Sequence, residues 1–67
     1  MKNKTIVLKL SANDPELGYV SLPNHPHLPG CVVKQTSLYE LIGEYIGPSI
    51  FLDFTNSGEL IGIEIVP

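Results

Sequence analysis

Arginine is absent from this chain, and four lysines face seven acidic residues, for a formal charge of −3. Sequence-independent nucleic-acid binding needs several cationic contacts to phosphate, and nothing beyond Lys2, Lys4 and Lys9 forms a cluster. Nucleic acid is therefore not an expected partner; a protein with a basic face suits the charge better. Cysteine occurs once, at Cys31, so no disulfide framework can form within the chain. That fits a reducing compartment. Charged residues make up only 16% of the chain against 43% hydrophobic, the reverse of a disordered composition. Long apolar runs are missing too. The opening "MKNKTIVLKL" starts basic, but its apolar part is short and broken by Lys9, so neither signal peptide nor membrane span is expected. The expected location is the cytoplasm.

What is present reads as one small domain, residues 1–67, that is short of core. Chains of this size usually need a staple, a metal or self-association. Thr5 to Leu10, "TIVLKL", alternates Ile6, Leu8 and Leu10 against Val7 and Lys9, which predicts a strand. The turn-rich "SANDPE" separates it from a second short strand, Leu17 to Leu22. "PNHPHLPG" follows with three prolines, a loop that cannot be a central strand. Cys31 to Thr36 then predicts a third strand.

Ser37 to Ile46 is the helix candidate. Ser37 and Glu40 form the S-x-x-E capping-box pattern, and Leu38, Leu41, Ile42 and Tyr45 make one apolar stripe. So short a helix must dock that stripe on the sheet, with Gly43 marking close packing and Gly47-Pro48 ending it. The last third forms a hairpin around "TNSG", with Gly58 at a left-handed position. A four-residue loop opposes Phe54 to Glu59 and Leu52 to Ile61. That register puts Ile50, Leu52 and Phe54 on one face with Ile61, Ile63 and Ile65. Phe51, Asp53, Leu60, Gly62, Glu64 and Val66 take the other. Gly62 would let something approach that second face closely. The expected fold class is α+β: an antiparallel sheet of about five strands with one short helix on a face, in the order β-β-β-α-β-β.

The closing residues Leu52, Asp53, Phe54, Gly58, Leu60, Ile61, Gly62, Ile63 and Glu64 resemble the final hairpin of the YuzE-like bacterial domains of unknown function. Asp14, Pro15, Glu16, Tyr19, Val20 and Leu22 resemble that family's opening strand, although Asn13 stands where a Tyr is usual. The resemblance implies a small sheet-based fold and no assigned activity. Members can lie beside toxin-like genes, which implies an antitoxin-like role.

Residue types that can do chemistry are few. His25, His27 and Cys31 are metal-competent, but H-x-H-x3-C offers at most three ligands on a proline-stiffened loop, so metal binding is the lesser reading. Asp53 to Glu64 matches an EF-hand spacing, with neutral Thr55 and Ser57 at ligand positions and strands on both flanks, which argues against calcium. As a catalytic pair they fail in the expected register, where Glu64 lies opposite Ser49 and roughly 13 Å from Asp53. Tyr19, Tyr39 and Tyr45 lack the cationic neighbours of a base-stacking platform, and nucleophile and phosphate-loop motifs are absent.

The expected function is thus a small acidic non-enzymatic protein-binding module, in its most concrete form an antitoxin- or immunity-like inhibitor of a partner such as a toxin. The partner surface would use Glu40, Glu44, Asp53, Glu59 and Glu64 with the aromatics Phe51 and Tyr39. The alternatives are a homo-oligomeric structural protein, with a homodimer as the expected assembly, and a metal binder using the His25/His27/Cys31 loop. No cofactor is expected.

Overall fold

The computed structural model describes residues 5–67; Lys2 and Lys4 lie outside the described residues. Five strands and one helix follow in chain order: β1 (Val7–Leu10), β2 (Gly18–Ser21), β3 (Lys34–Ser37), α1 (Leu38–Ile42), β4 (Ser49–Phe54) and β5 (Leu60–Val66). They form a single antiparallel sheet in the order β1-β2-β5-β4-β3. The fold is α+β, with the element order that periodicity predicts.

Pairing sets the strand ends. β1 starts at Val7, not Thr5, because its partner strand stops at Ser21; beyond it Leu22 turns to donate its N–H to the Ile61 carbonyl at 2.9 Å. β3 starts at Lys34 instead of Cys31 for the same reason. β4 ends at Phe54, whose carbonyl takes the Val33 N–H at 3.0 Å. Residues 22–33 carry the chain from β2 past β5 and β4 to the far edge.

Paired residues share a face. On one face, Leu8, Val20, Ile63 and Leu52 form a row across four strands, and Leu10, Gly18, Ile65 and Ile50 form the next. The Leu10 side chain folds over Gly18, where an added Cβ would lie 3.1 Å from Leu10 Cδ2. The other face carries Lys9, Tyr19, Glu64 and Phe51 in one row, and Val7, Ser21, Gly62, Asp53 and Gln35 in the next. One face is aliphatic and the other is mostly polar.

The hairpin register differs from expectation. Leu52 opposes Ile63, and Phe54 opposes Leu60. Two extra residues account for the shift. The turn closes as a Gly58 N–H bond to Thr55 O and a Thr55 N–H bond to Glu59 O, so Glu59 belongs to the loop. A β-bulge between Asp53 and Phe54 then leaves Ile61 unpaired. A shift of two preserves the side-chain alternation, so the inward-outward pattern of β4 survives. Leu60 changes sides and joins Phe54. Gly58 has φ 88°, the left-handed value its position requires.

The helix also differs. It spans five residues and buries none of them. Ser37 is the N-cap, accepting from the Tyr39 N–H at 3.1 Å, but Gly43 is its stop signal and not a packing site. With φ 89°, Gly43 leaves the helical region and donates its N–H to Tyr39 O. Tyr45 then works in a loop: its hydroxyl donates to Pro48 O at 2.9 Å and accepts the Ile50 N–H at 3.2 Å. The expected stripe never forms. α1 touches only β3 and β4, so the aliphatic face on β1, β2 and β5 has no helix over it. Among the described residues, Ile61 is the one hydrophobic side chain with no exposed surface.

Candidate functional site

The polar face holds a connected set of side chains centred on Asp53. This carboxylate is 5% exposed and sits in the interior strand β4, between β5 and β3. Its Oδ2 accepts the Tyr19 hydroxyl at 2.9 Å and its Oδ1 accepts the Gln35 amide at 2.8 Å. Burying a carboxylate is costly unless donors replace its water. Here β3, next to β4, and β2, one strand beyond β5, supply them.

Tyr19 reaches Asp53 diagonally because Gly62 lies between. A Cβ on Gly62 would fall on the Tyr19 ring, 2.5 Å from Cζ and 3.2 Å from Cε1. The close approach expected at Gly62 is therefore made by the chain's own phenol. Burial and the adjoining Asp53 push the Tyr19 hydroxyl up to about 12 from its ordinary 10.0. Such a phenol keeps its proton and donates it.

The chain of bonds continues into the proline loop. His25 Nδ1 accepts the His27 N–H at 2.9 Å, so that nitrogen carries no proton. In the neutral ring Nε2 then bears it and donates to the Tyr19 oxygen at 3.1 Å. The order is fixed: His27 N–H to His25, His25 to Tyr19, Tyr19 to Asp53. His27 stands at φ 57°, uncommon for a residue with a Cβ, and stacks on the His25 ring at 4.4 Å. Burial lowers the His25 pKa below 6.5, His27 lowers it further, and Asp53 opposes them.

Glu64 joins from β5. It pairs with Phe51, two residues along from Asp53, and Gln35 Nε2 bonds its Oε1 at 3.3 Å. The wide separation expected of Asp53 and Glu64 is thus corrected by the register. The two carboxylates share one amide donor. No reacting centre opens between them, because Gln35 occupies that place. A solvent-open hollow lined by Lys9, Leu17, Tyr19 and Glu64 lies beside the cluster at the β1 end.

The metal reading finds little in this geometry. Both His25 nitrogens are committed within the protein, and His27 is exposed. Among the described residues no three His, Cys, Asp or Glu side chains gather to hold an ion. Cys31 is a free, half-buried thiol.

The acidic partner surface is not one patch. Asp53 is buried and unavailable to a partner, a correction to its expected surface place. Glu64 and Phe51 are half-buried side by side on the polar face. Glu40, Glu44 and Tyr39 are exposed around α1, with the Tyr39 hydroxyl donating to Glu44 Oε2 at 3.2 Å. Glu59 lies in the turn at the other end of β4, roughly 20 Å away along six strand residues.

Comparison with protein-family models, with curated proteins and with solved structures finds no match. The YuzE-like resemblance therefore rests on the closing-hairpin and opening-strand residues of the sequence alone. Among the described residues, no helix is long and apolar enough to cross a membrane. Tyr19 and Gln35 are the site residues that sequence reasoning missed. Gly62 was the available signal, since a strand-interior glycine marks a close approach, but nothing local says which side chain arrives.

Proposed function

We propose that this chain is a small, non-enzymatic protein-binding module, with an antitoxin- or immunity-like inhibitor as its most concrete form. The observation that carries this reading is the segment from Tyr39 to Ile46. It turns its apolar side chains to solvent: Leu41 is 57% exposed, Ile42 64%, and Ile46 is fully exposed. Glu40 and Glu44 lie among them. An apolar projection set with carboxylates suits a groove with an aliphatic floor and a Lys/Arg rim. The polar face supports the same reading from the other side. Its histidine, tyrosine and carboxylates are spent on one another, which leaves no poised nucleophile or base. The YuzE-like resemblance agrees through its implied toxin-like neighbours.

The test is affinity capture from the native host with two baits, the natural chain and an Ile42→Asp/Ile46→Asp double variant. Both changed positions are exposed, so the variant keeps the far-ultraviolet circular dichroism of the natural chain. A protein recovered by the first bait and lost with the second supports the reading. Equal recovery by both baits, or recovery of the bait alone, overturns it.

A further inference from the structure

We infer that the aliphatic sheet face is covered by a second copy of this chain, giving a two-sheet sandwich whose polar faces point outward. The inference goes beyond the partner reading and uses a different surface.

Need comes first. One fully buried aliphatic side chain among the described residues is a small core, and self-association is a usual supplement for a chain of 67 residues. The missing core is laid out on the sheet. The rows through Leu8 and Leu10 run across β1, β2, β5 and β4, yet Leu8 and Leu10 are each 58% exposed. The helix does not reach β1, β2 or β5, and the proline loop is fastened to the opposite face through His25.

Charge selects the occupant. The chain carries −3, so like copies repel unless they meet where no carboxylate stands. Neither aliphatic row contains an acidic residue, whereas the polar face carries Asp53 and Glu64. Edge pairing is the competing way for sheets to associate. Both edges oppose it: Lys9 and Lys34, the only lysines among the described residues, stand on the edge strands β1 and β3. Lysine on an edge strand is a common guard against strand addition.

Area agrees. The accessible surface is 5006 Å², against roughly 4200 Å² for a compact chain of 7.3 kDa. The loops share in that excess, so it shows an open fold with surface to spare and does not measure the face itself; an interface of standard size takes about 800 Å² from each partner. The four strands that carry these rows, at about 4.8 Å spacing, make a patch roughly 15–20 Å across. Two such patches stack about 10 Å apart with strands inclined by about 30°.

Sedimentation equilibrium on the natural chain, Leu8→Glu and Lys9→Glu tests this. The two substitutions lie on neighbouring residues that point to opposite faces. The natural chain and Lys9→Glu are expected at twice the 7.3 kDa chain mass, and Leu8→Glu at the single mass with at least tenfold weaker self-association. A natural chain that stays monomeric at high micromolar concentration overturns the inference and leaves the face to a foreign partner. A Leu8→Glu chain that stays dimeric overturns it too. Should Leu8→Glu fail to fold, the natural chain decides alone. Its unfolding midpoint must rise with protein concentration, as for any dimer coupled to folding, and a constant midpoint refutes the second copy. Capture by the Ile42/Ile46 variant is read separately, so the two proposals fail independently.

Discussion

Tyr19→Phe removes one oxygen and tests the Asp53 cluster directly. The substituted ring still lies over Gly62, so packing is conserved and the hydrogen bonds alone are lost. Asp53 stays buried with one donor fewer, and a bond to a charged group contributes about 1.5–3 kcal/mol. His25 Nε2 also loses its acceptor, but this half-buried ring can turn to water. The expected cost is about 2 kcal/mol at neutral pH. For a domain of this size each kcal/mol lowers Tm by about 4–8 °C, so the midpoint should fall by roughly 8–16 °C. Thermal and urea unfolding followed by circular dichroism, at one fixed protein concentration, measure it. A second reading comes from alkaline titration of tyrosine absorbance. The natural chain should show one of its three tyrosines titrating near 12 and Tyr19→Phe should lack it. The sign follows: a raised folded-state pKa stabilises the chain below pH 10 and that share is lost as pH rises toward 12. A stability change under about 0.5 kcal/mol, with three ordinary tyrosines in the natural chain, would refute the cluster.

Other consequences follow from the same geometry. Gly62→Ala places a Cβ in the Tyr19 ring, and nothing in β5 can yield without moving the phenol off Asp53. A loss of at least about 2 kcal/mol is expected despite the usual gain of Ala over Gly in a strand, with the Tyr19 titration falling back toward 10. Acidification should loosen the proline loop. His25 has a folded-state pKa below 6.5, so its contribution is present above that pH and is lost as pH falls through the lowered value, when Nδ1 takes a proton and releases the His27 N–H. Hydrogen exchange at the His27 amide should therefore quicken below pH 6.5, and a pH-independent rate ratio to the Leu22 amide would count against it. Ile61→Ala empties the one aliphatic position that is fully buried among the described residues, at about 2–5 kcal/mol, enough to unfold much of so small a domain at 37 °C. A variant that keeps cooperative unfolding within 5 °C of the natural chain would show that Ile61 is not the centre of the core.

Local pattern was enough for the elements and their faces. Period-two alternation in "TIVLKL" and "SIFLDF" already separates an aliphatic side from a mixed one, because a strand allows no other arrangement of neighbouring side chains. Ser37 as N-cap and Gly58 in the turn were equally legible, since capping and left-handed backbone are decided within a few residues. Gly43 was misread because the same residue can sit inside a short helix or end it, and only the backbone angle decides between them. The hairpin register was two residues off because the turn takes in Glu59 and a bulge leaves Ile61 unpaired, and the local alternation marks neither.

Which side chains would meet was settled at longer range. Tyr19 and Asp53 stand 34 residues apart, and Gln35 and Glu64 stand 29 apart. They touch because β2 adds beside β5 and β3 beside β4, a topology that the order of strands in the chain does not encode by itself. The order of residues along the chain determined that this small acidic protein would be a sheet with one aliphatic side. The tertiary structure decided that the polar side would close upon itself around Asp53, because a buried carboxylate must find its donors wherever the sheet brings them.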